Sequence, residues 1–497
     1  MIFETTFGRV TSEGVGVSRS GKPIQRFLGI PYARAERFQD PEPISPIKGQ
    51  VVNSGKGHCF PQRRPSTFMN FFLKNFQLRR EWHPREDVQG EDSLRVNVWT
   101  SELETQKPVL VFLHGGDCGS GTTPIYDGAH LAEQDVVVVT ITYRIGLFGH
   151  LHVVDGDRIS CDRALLDQQM ALRWIRTHIS ELGGDPDNIT LMGHCGGAFY
   201  ALHQILNPYN RDLFHRLILC SGQSITPIPL VPEKEREAFQ DFLSNNRLAS
   251  YSELLSLPPE KILKLKAPQT FLSTTVDKSF FLGDPLESLE EGYFPRIPII
   301  IGSASDELSM LEVPMQYKRM GIATSKSKFP SAVEKMFGPR AGEIAEALRP
   351  EADDVADLQI KMMELVMFHG PALNLMDRFS RFTDIYGYRF EYIPQLYRGL
   401  RGAFHGAEVA MFFDNLDRMN VPINDENNFG ITTIQQDWLS FLYEGVIRER
   451  SYFDSEDTIT HYRGQPKDID FPHADLLRDL EGTDLATQLF NTFMRHR

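Results

Sequence analysis

The chain has no basic excess, no long apolar run and few cysteines. With 66 acidic against 52 basic residues, the formal charge is −14. That balance argues against nucleic acid or an anionic membrane surface as a partner. No stretch approaches the roughly 18 consecutive apolar residues of a membrane-spanning helix, so no span is expected. The first thirty residues carry Glu4, Arg9, Glu13 and Arg19 with no apolar run between them, which does not resemble a secretory signal. The five cysteines (Cys59, Cys118, Cys161, Cys195 and Cys220) are odd in number and irregular in spacing, so they do not form a disulfide framework. A cytoplasmic, reducing compartment is the expectation. The histidines show no metal-ligand spacing, the glycines around Cys118 do not make a nucleotide loop, and no internal repeat or linker interrupts the chain. No metal and no cofactor are expected.

What is present is core material. Hydrophobic residues make up 41% and charged residues 24%, as in a soluble globular protein. Val109-Leu110-Val111-Phe112-Leu113, Val136 to Ile141, Leu217 to Cys220 and Ile297 to Ile301 are continuous apolar runs, the pattern of strands covered on both faces. Leu94 to Trp99 alternates, and Ile385 to Phe390 reads as a late strand. Asp167 to Ile179 has helical spacing and ends before Gly183-Gly184-Asp185-Pro186, read as a turn; Ile434 to Val446 reads as another helix. The fold class implied is α/β, a large and mostly parallel sheet flanked by helices. Residues 1–497 are expected to form a single domain, with helical insertions near 229–284 and 309–381 that cover the pocket.

The chain is organised around Ile189-Thr190-Leu191-Met192-Gly193-His194-Cys195-Gly196-Gly197-Ala198. An apolar strand runs into Gly-x-Cys-x-Gly, and a helix follows through Leu202 to Leu206. Such a turn lifts its central side chain to the head of a helix, as a nucleophile elbow requires. Serine is the usual occupant; here it is Cys195, and a thiol merely filling the space of a lost serine is the competing reading. His405, in Phe404-His405-Gly406-Ala407-Glu408, stands in a glycine-flanked loop and is the candidate base. Glu307, in Ser303-Ala304-Ser305-Asp306-Glu307 after a buried strand, is the candidate acid, with adjacent Asp306 as the fallback. The order nucleophile, acid, base is the one this type of fold uses.

From Phe27-Leu28-Gly29-Ile30-Pro31-Tyr32-Ala33 to the region after His405, the chain resembles the type-B carboxylesterase and cholinesterase family of α/β-hydrolases. The resemblance implies an α/β-hydrolase fold and an acyl-transfer site with Cys195, Glu307 and His405 as its catalytic residues. His405 matches the His-Gly-x-Glu motif of the family and Glu307 its Asp-Glu-Gly motif. It also implies oxyanion donors at the backbone amides of Gly116, Asp117 and Gly196, and scaffold roles for Asp167-Gln168, Trp174, Gly183-Gly184-Asp185-Pro186 and Ser221-Gly222. Departures cluster at the chemistry. Asp117 stands where a third glycine is common, and Leu308 replaces the glycine after the acid. His194 replaces a glutamate; it either helps hold a thiolate as a protonated imidazole or merely lines the pocket. Secreted members bridge two cysteines near Cys59 and position 93, but Ser93 occupies the second site.

A carboxylate at Asp117 some 4 Å from an oxyanion would oppose it by roughly 4 kcal/mol at an effective dielectric near 20. Asp117 is therefore expected to point away, or the site to be poor at ordinary ester hydrolysis. A thiolate attacks readily but also leaves readily, so thioesters, aryl esters and lactones suit such a site better than alkyl esters. The partner expected is a small-molecule ester or thioester, handled by hydrolysis or acyl transfer. The alternative is a catalytically inactive relative that keeps the fold for binding or scaffolding. Oligomeric state is left open.

Overall fold

Val109 to Leu113 lacks polar residues because it is covered on both sides. In the computed structural model, which describes residues 1–12, 16–17, 20–63, 88–116, 118–121, 123, 126–222, 227–266, 274–276, 279–281, 283–309, 314–392, 402–415, 425–454, 456–481, 483, 485–486 and 488–489, side chains divide between two cores by parity. Val109, Val111 and Leu113 enter one buried cluster, and Leu110 and Phe112 enter the other across the sheet. Leu217 and Leu219 part from Ile218 in the same way, as do Ile299 and Ile301 from Ile300. Alternation of side chains along a strand makes this division automatic.

Among the described residues the sheet has 11 strands. In chain order they are β1 (Gly16–Val17), β2 (Pro23–Pro31), β3 (Arg95–Thr100), β4 (Lys107–Leu113), β5 (Val137–Ile141), β6 (Gly184–His194), β7 (Arg216–Cys220), β8 (Ile299–Ala304), β9 (Ile385–Phe390), β10 (Thr458–Tyr462) and β11 (Lys467–Asp470). Their spatial order is β11-β10-β9-β8-β7-β6-β4-β5-β3-β2-β1. From β5 to β10 every pairing is parallel, while β3, β2 and β1 at one edge and β11 at the other run antiparallel. This is the mostly parallel, helix-flanked sheet of the α/β-hydrolase fold. Helices α1 (Arg163–His178) and α2 (Gly196–Ile205) cover one face, and α6 (Asp425–Glu444) buries Ile434, Trp438 and Phe441 on the other. Between them in sequence lie α3 (Val355–Glu364), α4 (Gly370–Phe379) and α5 (Ala407–Phe412).

Two boundaries differ from the sequence reading. Gly184-Asp185-Pro186 is the beginning of β6 rather than a turn, because the ladder slips between the Lys107–Gly184 and Val109–Ile189 pairs. A proline is tolerated where the ladder is interrupted. Helix α6 starts at Asp425, before the expected Ile434. Its polar first turns carry no apolar period to read.

The two helical insertions behave differently. In 229–284, Phe239, Phe242, Leu243, Leu254 and Ile262 form a small separate core with Phe148, Leu151 and Val153. In 309–381, Phe337, Ile344, Met363 and Leu373 join the main core itself. Where secreted relatives would close a loop bridge, the Ser93 hydroxyl donates to the carbonyls of Cys59 at 3.1 Å and Gly90 at 2.7 Å, and none of the five cysteines is in a disulfide.

On α1, Asp167 is fully buried and clamps Arg144, with Nη2–Oδ1 at 2.6 Å, Nε–Oδ2 at 2.8 Å and the Arg144 amide at 3.0 Å. Removing one member of a buried pair leaves a charge without compensation. Asp167→Ala should therefore lower the unfolding free energy by about 3–5 kcal/mol in urea denaturation; a midpoint equal to wild type would contradict this account.

Candidate active site

Strand β6 ends at His194, and the next residue leaves the sheet. Cys195 has φ 56° and ψ −121°, a conformation L-residues avoid, and it stands directly before α2. Such a backbone costs on the order of 1–3 kcal/mol and persists only where its surroundings dictate it. The dictation is visible. The Cys195 amide donates to the Cys220 carbonyl at 3.0 Å, and the Cys195 carbonyl accepts from Ala198 and Phe199 at 3.0 and 3.1 Å. The glycines on either side serve a different purpose from the one their sequence suggests. Neither Gly193 nor Gly197 has positive φ; instead a Cβ on Gly193 would lie 2.2 Å from the Gly197 oxygen, and one on Gly197 would lie 2.0 Å from the Leu113 oxygen. Close backbone approach demands them, and the strained torsion falls on the cysteine.

Glu307 follows β8 and His405 follows β9, so parallel strands deliver both to the same end of the sheet as Cys195. His405 Nδ1 hydrogen-bonds Glu307 Oε2, and the same imidazole hydrogen-bonds the Cys195 thiol. The carboxylate is buried, and its other oxygen accepts from the Ser221 hydroxyl at 2.6 Å and the Ala304 amide at 2.8 Å. Asp306 faces elsewhere. It takes the Ser305 hydroxyl and pairs with Lys361 at 3.5 Å, and it packs so tightly on Gly402 that no side chain would fit there.

Electrostatics polarise the thiol. Burial pushes the Cys195 thiol up, but the His405 charge and hydrogen bond, together with the amides of Gly196 and Gly116, outweigh it and hold the thiol below its ordinary value. His405 shows the complement: burial opposes its proton, yet Cys195 and Glu307 raise it well above the usual imidazole range. Two of the three expected oxyanion donors, Gly116 and Gly196, thus meet at the sulfur. Asp117 lies outside the described residues. A Cβ on Gly115 would come within 3.0 Å of the Cys195 Cβ, so the backbone at Gly115 passes directly over Cys195.

His194 is not the protonated imidazole considered from the sequence. It is buried, and burial together with the nearby His405 charge drives it well below the usual imidazole range, so it is neutral. Its ring lies 4.4 Å from that of His405. Cys118 is not bridged to Cys195. Burial pushes its thiol up to about 12, and the Tyr200 hydroxyl hydrogen-bonds it. Leu308 is buried, and its amide donates to Glu364 Oε1 at 2.7 Å.

Two carboxyls beside the site escaped the sequence reading as participants. Glu408 accepts from the Ser221 hydroxyl at 3.3 Å and the Tyr388 hydroxyl at 3.2 Å, and burial followed by the Glu307 charge raises it to about 7. Its place three residues after His405 was the available signal. Glu364, raised well above the carboxylate range by burial and by Asp306, had none. Among the described residues no cluster of three or more His, Cys, Asp or Glu could hold a metal ion, and no helix is long and apolar enough to cross a membrane.

Sheet order, elbow and the Cys195–His405–Glu307 chain together define an α/β-hydrolase. The model of the carboxylesterase family matches residues 1–461, and the chain belongs to that family. It is 30% identical to the para-nitrobenzyl esterase of Bacillus subtilis (strain 168), an alignment covering 92% of this chain and 96% of that one. Identity to the pyrethroid hydrolase Ces2e of Rattus norvegicus is 29%, covering 82% and 75%. A solved PNB esterase superposes with a TM-score of 0.75 at 26% identity, covering 97% of this chain and 99% of that chain.

The lowered thiol makes a definite pH prediction. Thiolate persists down to its depressed pKa and is lost on acidification through it. Alkylation of Cys195 by iodoacetamide, followed by mass, should therefore titrate below the 8.5 or so of an unperturbed cysteine. His405→Gln should move that midpoint up. A wild-type midpoint at or above the unperturbed value would refute the polarised pair.

Proposed function

We propose that the chain hydrolyses carboxylic esters and thioesters through an acyl-enzyme on Cys195. The observation that carries this reading is one imidazole hydrogen-bonded on one side to a buried carboxylate and on the other to a thiol in an elbow. Sulfur attacks the acyl carbon, and the carbonyl oxygen takes the negative charge beside the amides of Gly116 and Gly196. Collapse of the adduct expels the alcohol or thiol, which receives its proton from His405. Water then enters, gives its proton to His405 and cleaves the thioester, releasing the acid and restoring the thiol. An alcohol in place of water would make the same site an acyl transferase. Glu307 keeps the imidazole in one tautomer and balances its positive charge.

Ester substrates fit the family and the names of the relatives. Preference for good leaving groups follows from the sulfur, because an adduct partitions forward only when the departing group leaves at least as well as thiolate. A binding module without chemistry would have no use for a strained cysteine held against an imidazole, which weighs against the scaffold alternative. Continuity of the 309–381 helices with the main core supports one working unit over the whole chain.

Electrospray mass after brief exposure to an activated aryl ester or an acyl thioester should register an acyl adduct on wild type and none on Cys195→Ala. Turnover should favour aryl esters over alkyl esters by at least about tenfold, and Cys195→Ser should shift that preference toward alkyl esters. Equal labelling of the alanine variant would place the chemistry elsewhere.

A further inference from the structure

Helices α3 and α4 are one continuous rod broken by a π-helical turn, Leu365–His369. The sequence explains the break: Pro371 has no N–H to offer the Met367 carbonyl, so the regular i to i−4 ladder cannot continue there. Such a turn carries one extra residue, and single π turns inside α-helices gather at functional sites. This one meets the candidate active site at both of its ends. Glu364, just before it, takes the Leu308 amide at 2.7 Å, on the far side of the loop that bears Glu307. His369, at its end, meets the Ser303 hydroxyl at 2.8 Å, on the strand that leads into that loop. One turn earlier, Lys361 pairs with Asp306. Between these anchors Phe368 is carried onto the imidazole of His405, with ring centroids 5.4 Å apart at 56°.

His405 touches a second ring as well, that of His194, at 4.4 Å. We propose that Phe368 is a positioning residue for His405: the π turn presses its ring onto the imidazole, which Glu307 fixes by Nδ1 and His194 touches, leaving the other nitrogen aimed at the Cys195 sulfur. The inference rests on the reading of His405 as the base for Cys195. It assigns the helical rod of the 309–381 insertion a direct part in the reaction. In an uninterrupted α-helix, loss of the extra residue would rotate Phe368 by about 100° and carry it off the imidazole. The groups facing His405 are Cys195, Glu307 and His194, with Glu408 beside Glu307 and with Glu364, Lys361 and His369 on the rod. Phe368 brings the rod into contact with the ring itself through an apolar group.

The test compares Phe368→Ala, Phe368→Leu and Phe368→Tyr with wild type, reading kcat and KM on an aryl ester, the pH profile of iodoacetamide alkylation at Cys195, and thermal melting. Phe368→Ala and Phe368→Leu should each lower kcat about tenfold with KM little changed, and should raise the alkylation midpoint by about one pH unit. Phe368→Tyr, which keeps the ring, should recover most of the loss. The leucine variant retains enough bulk to fold and decides the matter if the alanine variant does not. Variants that melt earlier but keep the wild-type kcat and alkylation profile would overturn the positioning role and leave Phe368 a filler of space. A wild type whose Cys195 resists alkylation at every pH would overturn the nucleophile reading, and this one with it.

Discussion

The hydrogen bond between Glu307 and His405 is the constraint to which the surrounding structure answers. A carboxylate taken out of water costs several kcal/mol unless its lone pairs are filled. Here they are filled from separate strand ends: the Ser221 hydroxyl after β7, the Ala304 amide at the end of β8, and His405 after β9. A parallel sheet is what allows this, since its strands finish side by side with all their carboxyl ends at one edge. The cost of crowding is carried by the neighbour. Glu408 shares the Ser221 hydroxyl with Glu307, and burial followed by the nearness of Glu307 raises its own carboxyl to about 7.

The elbow is a second local conflict resolved by its surroundings. Cys195 adopts a backbone conformation it would not choose alone, and the glycines that flank it are there to let the strand, helix and oxyanion loop close to contact distance. The result brings the amides of Gly116 and Gly196 to the sulfur before any substrate arrives. Donors that hold an anion in the resting state need no reorganisation when the negative charge moves from sulfur to a carbonyl oxygen. On the acyl-enzyme route proposed for this site, the same two amides would serve both the resting thiol and the tetrahedral adduct.

How much could be read from the sequence depended on whether a residue's role was written in its neighbours. The continuous runs at Val109 and Ile299 identified central strands because burial on both faces leaves no polar positions, and the elbow was legible because its spacing is short and local. Glu307 and His405 were singled out by their loops and by family motifs, and the structure brings the two side chains together. The start of β6 could not, since a ladder slip between Lys107 and Val109 has no signature in composition. Nor could the neutrality of His194, which follows from burial beside another imidazole. Phe368 was the least legible of all. Its helix reads as an insertion, its apolar period says only that it is buried, and the one trace of the π turn is Pro371.

Two imidazoles in contact beside one thiol raise the question of which carries the proton. At 4.4 Å, two positive rings would repel by roughly 4 kcal/mol at an effective dielectric near 20, so only one can be charged. His405 has Glu307 on its Nδ1; His194 has a buried Nε2 with no hydrogen-bond partner among the described residues. The carboxylate therefore decides the matter, drawing the charge to His405 and leaving His194 neutral. An uncharged ring next to Cys195 adds no second positive charge beside the thiol, whose pKa is lowered by His405. Identity at position 194 thus bears on the chemistry through the charge it lacks, and Glu307 governs both rings through a bond it makes with only one.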